Sequence, residues 1–130
     1  MSKALQRSNC RFFLMTGNNI DELKIMDEII ESEYREYCTP LNNFTIKEIL
    51  PIIPNCQIAI CNDSSFSHLS AGLGIKTIVL MVDTPLIYGS YNKNMYPILP
   101  EGETNVTHDT LGKDKINPEE IYNKFQKLLG

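Results

Sequence analysis

Three observations predict an α/β fold with a doubly wound parallel sheet and helices on both faces. Short apolar runs at 11–16, 56–61 and 77–82 are bounded by turn residues, as strands are. Segments of helical periodicity lie between them, the spacing of β-α-β units. The run from Thr77 to Val82 is unbroken and rich in β-branched residues, the pattern of a strand covered on both faces. The chain has 130 residues, room for one domain spanning 1–130 with a core that needs no staples.

Each element has its own signal. Arg11-Phe-Phe-Leu-Met-Thr16 ends at Gly17 and reads as a buried strand. Asn18 or Asn19 can cap the helix that follows, with Asp21 and Glu22 in its first turn. Leu23, Met26, Ile30, Tyr34 and Tyr37 recur at three- and four-residue spacing, which carries that helix to about residue 37. Pro40 and Asn42-Asn43 break it, and a helix over 45–53 follows, made irregular by Pro51. Cys56 to Cys61 forms the next strand, and Asn62-Asp63-Ser64-Ser65 caps a helix that Gly74 closes in the left-handed position. After the strand 77–82 comes a loop over 83–97 with a short strand near 95–99, then a polar stretch over 100–115. Asn117 caps the last helix, with Pro118 at its first position and Ile121, Phe125, Leu128 and Leu129 as its apolar stripe.

Composition excludes several function classes. Hydrophobic residues at 42% and charged residues at 22% are ordinary for a soluble globular chain and exclude disorder. A net charge of -4 argues against a nucleic-acid partner. The longest apolar stretch, Ile75 to Val82, is interrupted by Lys76 and falls far short of a membrane span. Met1 to Arg11 has no apolar core of a signal peptide, so the expected location is the cytoplasm. The four cysteines form no Cys-x-x-Cys pair and only His68 and His108 could join them, so neither metal nor cofactor is expected. Three Asn-x-Ser/Thr sequons, at Asn43, Asn62 and Asn105, read as products of an Asn-rich composition.

The informative stretch runs from Ile58 to Gly74, where a buried strand passes through a polar turn into a helix. In an open parallel sheet, ligands bind outside the carboxyl ends of the strands, and this turn lies there. A helix start offers unpaired amides and partial positive charge, which suit a phosphate. Ser64, Ser65 and Ser67 add hydroxyls, and His68 sits one turn in, able to donate to an anionic oxygen. Asp63 suits capping, or accepting from ligand hydroxyls. Read from residue types alone, the stretch is more readily a capped helix without a ligand, and no nucleophile elbow marks a Ser-His-Asp triad.

Asn62-Asp-Ser-Ser-Phe-Ser-His-Leu-Ser-Ala-Gly-Leu-Gly74, followed by Lys76-Thr77 and a hydrophobic strand, resembles the signature of glycosyltransferase family nine. That family contains the ADP-heptose:lipopolysaccharide heptosyltransferases. Downstream, Thr84-Pro85 and Tyr88-Gly89-Ser90-Tyr91 resemble the loop after the family's next strand, and the similarity covers about residues 11–99. Ser65 stands where the signature has glycine, and Thr77 where proline is common.

The resemblance implies a Rossmann-like domain, the C-terminal half of a GT-B fold, which binds the nucleotide diphosphate sugar donor. Asp63, Ser64, Ser65, Ser67 and His68 would then face the diphosphate and donor sugar, with Gly17, Glu22 and Thr84 completing the donor site and Glu22 near the ribose. The donor would be an ADP-sugar, and the complete enzyme would invert at the anomeric carbon during lipopolysaccharide biosynthesis. Met1 to Asn9 reads as the tail of a preceding helix, and the acceptor half that carries the base has no counterpart among these residues. The expectation is therefore a binding domain inactive as this chain alone, with no catalytic residue of its own. It would associate with a second copy or with a separate acceptor half. The alternative is a non-catalytic nucleotide-binding or protein-interaction module on the same fold.

Overall fold

The computed structural model describes residue 4 and residues 9–130, and among these the strands pair in parallel, in two sheets. The expectation for Met1 to Asn9 lies largely outside the described residues. The chain divides into two compact units, Met1–Leu50 and Pro51–Gly130.

The first unit is a short β-α-β arrangement. Strand β1 (Phe12–Leu14) leads to helix α1 (Ile20–Ile30), and the chain returns to pair β2 (Cys38–Pro40) beside β1. The sequence placed 11–16 in one sheet with 56–61 and 77–82; its hydrogen-bonded partner is β2 instead, in the register Phe12↔Cys38 to Leu14↔Pro40. The reason lies in α1, which stops at Ile30, not near 37. Ser32 Oγ donates to Ile29 O at 2.6 Å and accepts from Tyr34 N–H at 3.2 Å, offering the backbone a partner outside the helical ladder. A 3-10 turn at Arg35–Tyr37 then feeds β2, whose Cys-Thr-Pro lacks an apolar run to mark it. Asn19 is the cap of α1, accepting from Glu22 N–H at 2.9 Å. The following helix, α2 (Ile46–Ile49), is only four residues long, because Pro51 and Pro54 cannot donate to its ladder. Met26, Leu41 and Ile49 are the buried apolar side chains of these elements.

The second unit holds a three-stranded sheet in the order β3-β4-β5, with β3 at Ile58–Asn62, β4 at Lys76–Leu80 and β5 at Met95–Ile98. The expected parallel pairing of the second and third apolar runs is present, in the register Ile58↔Lys76 to Asn62↔Leu80. Thr77, Ile78 and Val79 are each 0% exposed, and successive strand residues face opposite sides, so both faces of β4 are covered. Helices α3 (Ser65–Gly72) and α4 (Pro118–Leu129) both pack against β3 and β4. Ala71, Val79, Met81, Met95 and Val106 form one buried cluster, with Leu86 and Leu99 against it. Gly74 takes φ +87° and ends α3 in a Schellman motif. Its N–H donates to Ala71 O at 3.1 Å, and that of Ile75 donates to Ser70 O at 3.0 Å. Asn117 caps α4 as expected, accepting from Glu119 N–H at 2.9 Å. No helix among the described residues is long and apolar enough to cross a membrane.

Ile78→Ala should cost about 2–5 kcal/mol in denaturant unfolding, the range for truncating a fully buried aliphatic side chain. Ile60→Ala, on the edge strand with 45% of its surface exposed, should cost clearly less.

Candidate functional site

The parallel register sets Asn62 beside Leu80, so the loops that leave β3 and β4 emerge at the same edge of the sheet. The β3–α3 turn carries Asp63 and Ser64; the loop after β4 carries Thr84, a 3-10 turn at Leu86–Gly89, and Tyr91. Thr84 is half-buried at that edge. Gly89 lets the loop lie against Met81, because a Cβ there would overlap the Met81 sulfur.

Ser64 is the N-cap of α3, in extended conformation, and Ser67 completes the capping box. The Ser64 N–H donates to Ser67 Oγ at 3.2 Å, and that hydroxyl donates back to Ser64 O at 2.7 Å. Ser67 is 0% exposed, and its hydroxyl serves the turn. Ser67 and His68 N–H groups both donate to Ser64 O. The Ser65 and Phe66 amides stand ahead of the helical ladder, where no intrahelical acceptor exists, and Ser65 is exposed. An anionic oxygen can therefore approach this end of α3, favoured by the helix dipole.

Asp63 is not the cap. Its Oδ1 lies 3.6 Å from His68 Nε2, with the Asp63 side chain 13% exposed and that of His68 37%. The other ring nitrogen, Nδ1, is 2.6 Å from the Tyr91 hydroxyl. The two rings also stack, with centroids 5.6 Å apart and planes 19° from parallel. The two nitrogens of His68 thus face Asp63 and Tyr91. Tyr91 is the residue that sequence reasoning missed as a site member. Its signal was the aromatic pair Tyr88 and Tyr91 in a loop leaving the same sheet edge.

Gly17 and Glu22 belong to the first unit. The Glu22 carboxylate accepts from Asn19 Nδ2 at 2.7 Å and lies over Gly17, where a Cβ would overlap it. Gly17 thus makes room for the α1 cap. Among the described residues, no group of three or more His, Cys, Asp or Glu could hold a metal ion.

Cys61, at the carboxyl end of β3, has its thiol pushed up to about 11 by burial, with a lesser, opposing hydrogen bond from Ser70. It is protonated at neutral pH and unreactive as a nucleophile.

The sequence model of Glycosyltransferase family 9 (heptosyltransferase) matches residues 1–117 of the chain. The chain belongs to that family. The match is wider than the 11–99 read from the sequence and takes in both units up to the start of α4. Family membership makes this a glycosyltransferase-like chain with the parallel α/β architecture described above. No curated protein and no solved structure gives a match.

Two outcomes follow from this geometry. Ser64→Ala should lower stability by about 1 kcal/mol, as loss of a cap does, whereas Asp63→Ala should fall within about 0.5 kcal/mol of the parent, both read from denaturant midpoints. Stability should also decline as pH rises from 9 toward 11. The unfolded Cys61 thiol ionises first, so the unfolded state is favoured over that window, while the contribution is fully present below it. Cys61→Ala should flatten that part of the profile.

Proposed function

We propose that the Pro51–Gly130 unit binds the diphosphate of a nucleotide diphosphate sugar at the amino end of α3. In the complete enzyme, that sugar passes with inversion to a saccharide hydroxyl. The observation that carries this reading is the β3–α3 turn: Ser64 and Ser67 close a cap on one another and leave the Ser65 and Phe66 amides at an exposed helix start. Family membership supports a sugar-nucleotide donor in general.

The chemistry divides by residue. The two amides and the Ser65 hydroxyl donate to phosphate oxygens, and the helix dipole stabilises the charge that develops on the leaving diphosphate. Ser65 carries a Cβ where the family signature has glycine, so phosphate is held from the exposed side of the turn. Asp63 is a carboxylate and only accepts, so its partners are hydroxyls of the sugar, not phosphate. An acceptor hydroxyl attacks the anomeric carbon from the opposite face as a general base removes its proton. The nucleoside diphosphate leaves with the electron pair of the broken glycosidic bond. Among the donors, an ADP-sugar is the proposed one.

Isothermal titration calorimetry with ADP, UDP, GDP and AMP tests the reading. Binding of ADP is expected, tightest of the three diphosphates, with AMP about tenfold weaker for loss of the charged phosphate contacts. Equal binding of AMP and ADP, or no heat with any diphosphate, would overturn it.

A further inference from the structure

The contact between His68 and Tyr91 joins residues 23 positions apart in sequence and ties the loop after β4 to the second turn of α3. Tyr91 is 55% exposed, and what places it is the fold of its loop. The loop is braced by Gly89 against Met81, and Ser90 is bonded back to it twice, its Oγ donating to Leu86 O at 2.9 Å and its N–H to Ile87 O at 3.3 Å. Tyr91 follows directly.

An imidazole has two nitrogens with opposite needs when neutral, one donating and one accepting. On one side of His68, Nε2 faces Asp63 Oδ1 at 3.6 Å. A carboxylate offers no proton, so a proton on Nε2 is the favourable arrangement there. Nδ1 is then an acceptor and requires a donor, and the Tyr91 O–H stands 2.6 Å away. The carboxylate selects the tautomer, and the Tyr91 hydroxyl, which can donate or accept, meets it by donating to Nδ1.

We propose that Tyr91 is a positioning residue that donates its hydroxyl proton to His68 Nδ1, fixing the neutral imidazole with its proton on Nε2, turned toward Asp63. The electrostatic pull of that N–H holds the Asp63 carboxylate by Oδ1 and presents Oδ2 to the hydroxyls of a donor sugar. His68 then acts as the link between the loop and the carboxylate. This second role rests on the donor-site reading above; the tautomer does not.

The test is nitrogen-15 NMR of the histidine side chains on the alkaline plateau, where the ring-nitrogen shifts no longer change with pH. The chain has only two histidines, His68 and His108, and His108→Gln assigns the signals. In the parent chain, His68 should show one dominant tautomer, with Nδ1 unprotonated and Nε2 protonated. In Tyr91→Phe, which keeps the ring stack, the bias should collapse toward the mixture typical of a solvent-exposed histidine. The affinity for an ADP-sugar should fall about three- to tenfold, as for one lost hydrogen bond, with ADP itself changed less. A mixed tautomer in the parent chain, needing no variant at all, would overturn the proposal. So would a Tyr91→Phe spectrum whose His68 signals match the parent. A fixed tautomer that Tyr91→Phe releases, in a chain that binds no nucleotide, would support the Tyr91 role and count against the donor-site reading alone.

Discussion

Parallel pairing of β4 with strands on both its edges is the constraint on which the rest of the second unit depends. Thr77, Ile78 and Val79 are removed from solvent on both faces, so a one-residue slip would exchange every side chain between two packed layers. Register is therefore strongly specified, and with it the level at which β3 and β4 end. Asn62 beside Leu80 puts the β3–α3 turn and the loop after β4 on one edge. Hydrophobic burial, with Ile78 and Val79 each contributing about 1.5–3 kcal/mol, thereby decides where the polar chemistry stands.

At that edge, neighbouring residues divide into scaffold and surface. Ser67 is the clearest case of scaffold: its hydroxyl accepts from and donates to Ser64, and nothing of it reaches solvent. The helix start is thereby fixed without using the Ser65 and Phe66 amides. Asp63, freed from capping by Ser64, faces His68, and His68 faces Tyr91. One turn thus holds an amide end that favours anions beside a carboxylate that accepts from hydroxyls. A phosphorylated sugar has both kinds of group.

Much of this was legible in the sequence. A short apolar run announced β3, an unbroken run rich in β-branched residues announced β4, Gly74 announced a left-handed helix end, and Asn117-Pro118 announced α4. Each is a local signal with a local cause. The misses have non-local or competing causes. Tyr34 and Tyr37 continue the apolar spacing of α1, but Ser32 captures the backbone and ends the helix at Ile30. Strand β2 is three residues without an apolar run, visible only once β1 lies beside it. At the site, residue types named the turn correctly but not the division of labour within it. Whether Asp63 or Ser64 caps is a matter of backbone angle, and the partnership of His68 with Tyr91 depends on a loop fold that no spacing encodes.

The amides of Ser65 and Phe66 are the groups on which phosphate binding at α3 turns. Backbone NMR of the chain titrated with inorganic pyrophosphate and then with ADP measures them individually. The largest amide shifts should fall on Ser65 and Phe66, saturate with either ligand, and leave the buried Ser67 amide nearly unmoved. Saturating shifts confined to residues outside 62–68, or none at millimolar ligand, would contradict it.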